Sequence, residues 1–202
     1  MKKAILIFNL LFILSMVSAQ VDTIHHIKVK FLYGSKPKRA FKSTEPKEMG
    51  GLHGGHVSIE VDDIDYGFEP ITDRVHIFPR KKCNSDYLKK YPGDSTLSPK
   101  DSKTVTFIIP ITNAQYNQLN QIHQCYVDST PCDYAFFGMR CASTVQEILG
   151  EIGIVKKRNR VFNIVSTFYP KRLRKRMFRL AKKNNYEIIK TEGKSTRIWE
   201  KD

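Results

Sequence analysis

Residues 56–61, His56-Val57-Ser58-Ile59-Glu60-Val61, alternate polar and apolar side chains without a break. In an extended strand successive side chains point to opposite faces, so Val57, Ile59 and Val61 share one face and His56, Ser58 and Glu60 the other. A strand with one face on a core and one face free belongs to an antiparallel sheet more naturally than to a parallel one. Further strands can be read around it. Residues 24–33 alternate loosely through Ile27, Val29 and Phe31, and predict a first strand. Asp62-Asp63-Ile64-Asp65 predicts a tight turn into a strand at 66–69 that Pro70 stops. Residues 74–78 predict another short strand, and Thr104-Val105-Thr106-Phe107-Ile108-Ile109, ending at Pro110, a strongly β-prone one. Residues 34–55, with Pro37, Pro46 and two glycine pairs, predict a loop; residues 80–102, polar and turn-rich, predict an excursion over the surface.

Helical periodicity enters later in the chain. Thr112 is placed to cap a helix through about Tyr126, with Tyr116, Leu119 and Ile122 or His123 along one face. After Cys141, apolar residues fall at Val145, Ile148, Leu149 and Ile152, the spacing of one buried helical stripe, and Gly153 stands where a left-handed cap would sit. Residues 170–184 predict a basic helix with Leu173, Met177, Leu180 and Ala181 on its apolar stripe, and residues 186–190 and 196–200 a closing hairpin about Glu192-Gly193. The expected fold is α+β, a small antiparallel sheet packed against helices with a basic C-terminal helix and hairpin.

The first nineteen residues predict an export signal: Lys2 and Lys3, an apolar core, then Val17 and Ala19 at the two small-residue positions before a cut ahead of Gln20. No cysteine follows that cut, so the expected product, residues 20–202, is secreted or periplasmic without a lipid anchor. Its expected organisation is one domain at 20–155 and a basic extension at 156–202 packed on it. Lys and Arg balance Asp and Glu at 16 each over 20–155, whereas 156–202 carries 16 against 4, or +12 of the total +14. Charge of that sign suits an anionic polymer or membrane surface. No motif beyond charge points to nucleic acid, and an exported chain is not expected to meet it.

Cys141 opens the first turn of its predicted helix, where the positive end of the macrodipole favours thiolate, the nucleophilic form. A half-cystine or a buried thiol is the bland alternative. Export would place all four cysteines where disulfides form. If Cys141 stays reduced, Cys125 and Cys132 flank the turn at Pro131 and can pair, with Cys83 as competitor for either. A thiolate nucleophile needs a base, and imidazole suits neutral pH. Of six histidines, His56 is best placed, opening an amphipathic strand after a glycine pair. His53 and His56 form an HxxH pair, which without a third ligand does not make a metal site. No metal or cofactor is expected.

Gly55-His56-Val57-Ser58-Ile59-Glu60-Val61, then Tyr66-Gly67-Phe68-Glu69-Pro70, the strand and helix of 104–126, and Cys141 opening a helix that ends in Gly153-Ile154 together resemble the permuted papain-like cysteine hydrolases. This is the circularly permuted arm of the NlpC/P60 superfamily, which includes lecithin:retinol acyltransferase-like enzymes. In that arm the histidine strand precedes the cysteine helix, and here the two residues stand 85 apart. The resemblance covers about residues 50–155, and order more than any single motif carries it. It implies Cys141 as nucleophile, His56 as general base and a third polar residue to orient the imidazole. The family often places that residue twelve positions on, where this chain has Phe68. Glu60, on the histidine's own face, and Glu69, which alternation from Phe68 turns to the other face, are the remaining candidates. The family's Asn before the cysteine is here Arg140, which can support a thiolate, bind an anionic substrate or simply be exposed. Tyr134 can donate to an oxyanion or serve as a core tyrosine. The implied function is a secreted cysteine amidase or peptidase, monomeric, acting on peptide or peptidoglycan-like substrate. The alternatives are an inactive papain-like binding module and a lipid-directed acyltransferase or thioesterase.

Overall fold

The computed structural model describes residues 24–45, 51–71, 75–81, 84–91 and 101–202; residues 1–19, expected to be an export signal, and Cys83 lie outside them. The fold is α+β. Eight strands are present among the described residues: β1 (His25–Tyr33), β2 (Ser35–Pro37), β3 (Gly55–Val61), β4 (Ile64–Pro70), β5 (Ser85–Lys90), β6 (Thr104–Ile111), β7 (Glu187–Thr191) and β8 (Arg197–Trp199). The helices are α1 (Asn113–Asp128), α2 (Cys141–Glu151), α3 (Arg160–Ser166) and α4 (Pro170–Asn184).

Six strands form one antiparallel sheet in the order β5-β4-β3-β1-β6-β7. The alternation in the sequence sets its two faces. Register pairs Val29 with Ile59 and Phe107, and Phe31 with Val57 and Val105, and all six side chains are wholly buried. The other face of the same strands carries Lys28, Lys30 and Glu60, and Lys30 Nζ meets Glu60 Oε2 at 2.9 Å. Helix α2 packs on β3 and β4, α4 on β1 and β3, and α1 on β5. Each apolar stripe is buried as its spacing requires: Val145, Ile148 and Leu149 on α2, Leu173, Met177 and Ala181 on α4. Thr112 and Gln115 close a reciprocal capping box on α1, and Gly153, at φ 77°, takes the left-handed conformation past α2.

Three expectations are corrected. The two C-terminal strands do not pair with each other: β7 joins β6 at the sheet edge, and β8 joins β2 in a separate two-stranded sheet. β6 would otherwise present a row of open backbone groups, which β7 satisfies. Between them the Trp199 indole lies over Gly193, where any Cβ would collide with it, and Trp199 Nε1 donates to the Lys194 carbonyl at 3.0 Å. Residues 75–78 form no strand beyond an isolated bridge between His76 and Ala135: the His76 and Ile77 carbonyls accept from the Phe136 and Phe137 amides, and the His76 ring meets Asp133. Residues 85–90, read as surface excursion, are instead the edge strand β5. Ser85 and Tyr87 are buried while Lys89 is exposed, and lysines are common on such edges. No disulfide joins Cys125 to Cys132.

Candidate active site

Strand β3 delivers His56 and helix α2 delivers Cys141 to one place. Arg140 is the extended residue ahead of α2 and Cys141 its first helical residue. The Ser143 hydroxyl accepts from the Arg140 amide at 2.8 Å and donates to the Arg140 carbonyl at 3.0 Å, which locks this turn. The helical ladder begins with the Thr144 amide on the Arg140 carbonyl, so the amides of the first turn lie ahead of it.

The thiol is buried at 3 % exposure and hydrogen-bonds to the His56 ring. Burial alone would push the Cys141 thiol up, but the His56 hydrogen bond and charge outweigh it. The Val57 amide and the Tyr134 hydroxyl, 3.9 Å from Sγ, add to that effect, and the thiol titrates below its ordinary range. His56 moves the opposite way. Burial would lower its basicity, yet Cys141, then Glu69 and Asp65, raise it. The two directions agree on one state, thiolate beside imidazolium.

Pairing between β3 and β4 stops at Ile59 and Tyr66, and past that point the Val57 amide turns to the sulfur instead of to β4. His56 Nε2 faces Glu69 Oε1 at 3.6 Å, which leaves Nδ1 as the ring nitrogen available to the thiol. Glu69 also accepts from Lys90 Nζ at 2.7 Å, so it is held in place from the edge strand. Glu60 is not brought to the imidazole; Lys28 and Lys30 hold it. Glu60 lies four residues from His56 along the strand, about 13 Å away. Phe68, 1 % exposed, packs its ring at 5.2 Å on Tyr134 and contributes no polar group. Burial and the neighbouring Cys141 raise the Tyr134 phenol well above its ordinary range, so it stays a donor at neutral pH.

Glu69 could have been found from the turn. Asp62 and Asp63, both at positive φ, pair Val61 with Ile64, Glu60 with Asp65 and Ile59 with Tyr66. Carried past the last pair, that register sets His56 opposite Glu69. Gly67 gave no such signal. A Cβ at Gly67 would lie 3.2 Å from His56 Nε2 and 3.4 Å from Glu69 Oε1, so its missing side chain is the room in which ring and carboxylate meet. Gly67→Val is expected to displace the ring and slow alkylation of Cys141 by iodoacetamide at pH 6 on the order of ten-fold. An unchanged rate would show that the ring does not depend on this space.

The loop before α2 is clamped by a second buried carboxylate. Asp133 accepts from His76 Nδ1 at 2.6 Å, the Arg80 amide at 2.9 Å and the Asn84 amide at 2.7 Å. Burial would raise its pKa, but the Asn84, His76 and Arg80 hydrogen bonds bring it below the ordinary carboxylate range. The folded value being depressed, the stability Asp133 contributes is present above the unfolded value, about 4, and is lost as pH falls through the folded one. Asp133→Asn is therefore expected to cost about 1–3 kcal/mol at pH 7 and to converge with the wild type at strongly acid pH. Thermal melts from pH 7 to pH 2.5 check this; a gap that stays constant refutes it.

Among the described residues no group of three or more metal-binding side chains occurs, and no helix is long and apolar enough to cross a membrane. Compared with known proteins, the chain matches no family model, no curated protein and no solved structure.

Proposed function

We propose that the protein is a cysteine hydrolase that performs acyl transfer through Cys141 and His56. The observation that carries this reading is a buried Cys141 thiol beside the His56 ring, each moving the other toward thiolate and imidazolium. The order of histidine strand before cysteine helix on an antiparallel sheet supports the permuted papain-like assignment. The Cys141 thiolate attacks a carbonyl carbon, and the His56 imidazolium protonates the departing amine. Water, deprotonated by the now neutral His56, then cleaves the thioacyl bond and restores the pair. The first-turn amides of α2, with the Tyr134 hydroxyl beside the sulfur, supply donors for the oxyanion. Glu69 steadies the ring, the part the sequence reading divided between Glu60 and Glu69.

The favoured substrate is a peptide amide of the cell wall, in keeping with an exported chain. Incubating the protein with peptidoglycan should release new amine ends, and Cys141→Ala and His56→Ala should release none; equal release by the variants would sink the proposal. A lipid-directed acyltransferase or thioesterase is favoured by one feature, the partly exposed ring cluster of Phe78, Phe136, Phe137 and Phe168 next to Arg140. Acyl transfer from a phospholipid, tested with the same variants, separates the two.

A further inference from the structure

Arg140 is the residue directly before Cys141, and its side chain is a physical anomaly. The residue is 8 % exposed, and its Nε and Nη2 atoms are closed to water with no hydrogen-bond partner among the described residues. Its guanidinium lies 3.7 Å from the centre of the Phe168 ring, which covers one face and leaves the N–H edges unanswered. Other well-covered arginines meet an oxygen. Arg174 meets Glu200 at 2.7 Å, although its Nε and Nη1 make no hydrogen bond among the described residues, and Arg197 meets Glu45 at 3.0 Å. The ionisable groups close enough to act on Arg140 are Tyr134, Cys141 and Tyr169, and none is a carboxylate. Cys141 acts on it, but the same sulfur is shared with His56. Burying a cation with no carboxylate beside it among the described residues is strongly unfavourable, and a ligand that brings one would offset that cost.

We infer that Arg140 is the recognition residue for a carboxylate carried by the substrate next to its scissile bond. Nε and Nη2 form one edge of the guanidinium, two parallel N–H groups spaced to grip both oxygens of a carboxylate. Arg140 adjoins the nucleophile in sequence and Cys141 is among the ionisable groups that act on its guanidinium, so a carboxylate held there belongs to the part of the substrate near the attacked carbonyl. The substrate class is a peptide whose free carboxylate flanks the cleaved amide. Phe168 is the part of the aromatic cover that must move aside to admit it. Its contacts, edge-on to Phe136 at 5.1 Å and Tyr169 at 4.8 Å, belong to the partly exposed cluster at the protein surface. This inference deepens the cysteine hydrolase reading and rests on Cys141 being the attacking atom.

The probe is a pair of alkylating agents of equal size, iodoacetate and iodoacetamide, which bring a carboxylate or a neutral amide to the same sulfur. Rate constants at Cys141, followed by intact mass, should favour iodoacetate at least about ten-fold in the wild type, the worth of a charge-assisted pair. Arg140→Gln should lose that preference, and Arg140→Lys, which keeps the charge without the fork, should lose most of it. Taking the ratio within one preparation cancels any difference in the fraction folded. A ratio unchanged in Arg140→Gln overturns the inference, and a full preference retained in Arg140→Lys overturns the two-pronged grip. If Cys141 reacts with iodoacetamide no faster than an ordinary thiol, the hydrolase reading fails instead. The fork is then tested without any reaction: succinate should raise the melting temperature of the wild type and not of Arg140→Gln, and equal shifts or none overturn the inference.

Discussion

His56→Ala slows iodoacetamide alkylation of Cys141 at pH 6 about a hundred-fold. The reactive species is the thiolate, and an ordinary cysteine, with pKa near 8.5, is well under 1 % thiolate at pH 6. In the wild type the His56 hydrogen bond and charge hold Cys141 below that range against its burial, while Cys141 in turn raises His56. Both shifts act toward thiolate beside imidazolium, and the proposed mechanism expects that pair between the pH at which the sulfur takes a proton and the pH at which the ring loses its own. Within that window the wild-type rate should be nearly flat with pH. Without His56 the window closes, and because burial remains the thiol rises above its ordinary value. The variant's rate should then fall ten-fold for each pH unit below about 8.5, so the two profiles diverge as pH drops. Rates measured from pH 5 to pH 9 decide it; parallel profiles would mean that His56 does not set the state of the sulfur. The Val57 amide and Tyr134 hydroxyl survive the substitution and keep the loss from being larger.

Glu200→Gln is expected to lower unfolding free energy by about 3 kcal/mol, read as a denaturant midpoint at unchanged slope. Glu200, 6 % exposed, accepts from Arg174 Nη2 at 2.7 Å, and Arg174 is wholly buried under the Tyr33 ring at 3.7 Å. This contact joins α4 to the chain beyond β8 and to the central strand β1. Removing the carboxylate's charge leaves a guanidinium whose one remaining close counter-charge among the described residues is Asp202, at 3.4 Å and half exposed. Breaking one side of a buried pair typically costs about 3–5 kcal/mol, and Asp202 places this case at the lower end. In a chain of this size the loss corresponds to a melting temperature lower by roughly 6–12 °C. Arg174→Met with Glu200→Leu, which removes both charges and keeps the volume, should recover most of it. A Glu200→Gln protein as stable as the wild type would mean that the pair contributes nothing net.

Much of the scaffold was legible because local rules govern it. The period of two in residues 56–61 needed only the geometry of an extended chain to put Val57 inward and His56 outward. The stripes on α2 and α4, the cap at Thr112 and the left-handed residue at Gly153 follow from helix geometry in the same way. The polar stretch at 85–90 was misread because an edge strand needs only one buried side, and Tyr87 supplies it. The helper carboxylate was half legible. Faces along one strand favoured Glu60, but the register set by the Asp62-Asp63 turn carries Glu69 across to the imidazole, and Lys28 and Lys30 take Glu60 away.

From its sequence alone this chain is an α+β molecule with a histidine on a half-buried strand and a cysteine opening a helix, since each depends on neighbours a few residues away. The tertiary structure decided that the two meet, that Glu69 and not Glu60 faces the ring, that β7 closes the sheet against β6, and that Arg140 is buried against Phe168. Those outcomes depend on contacts between segments tens of residues apart. There, desolvation and the supply of partners set the energy, and no local pattern records either.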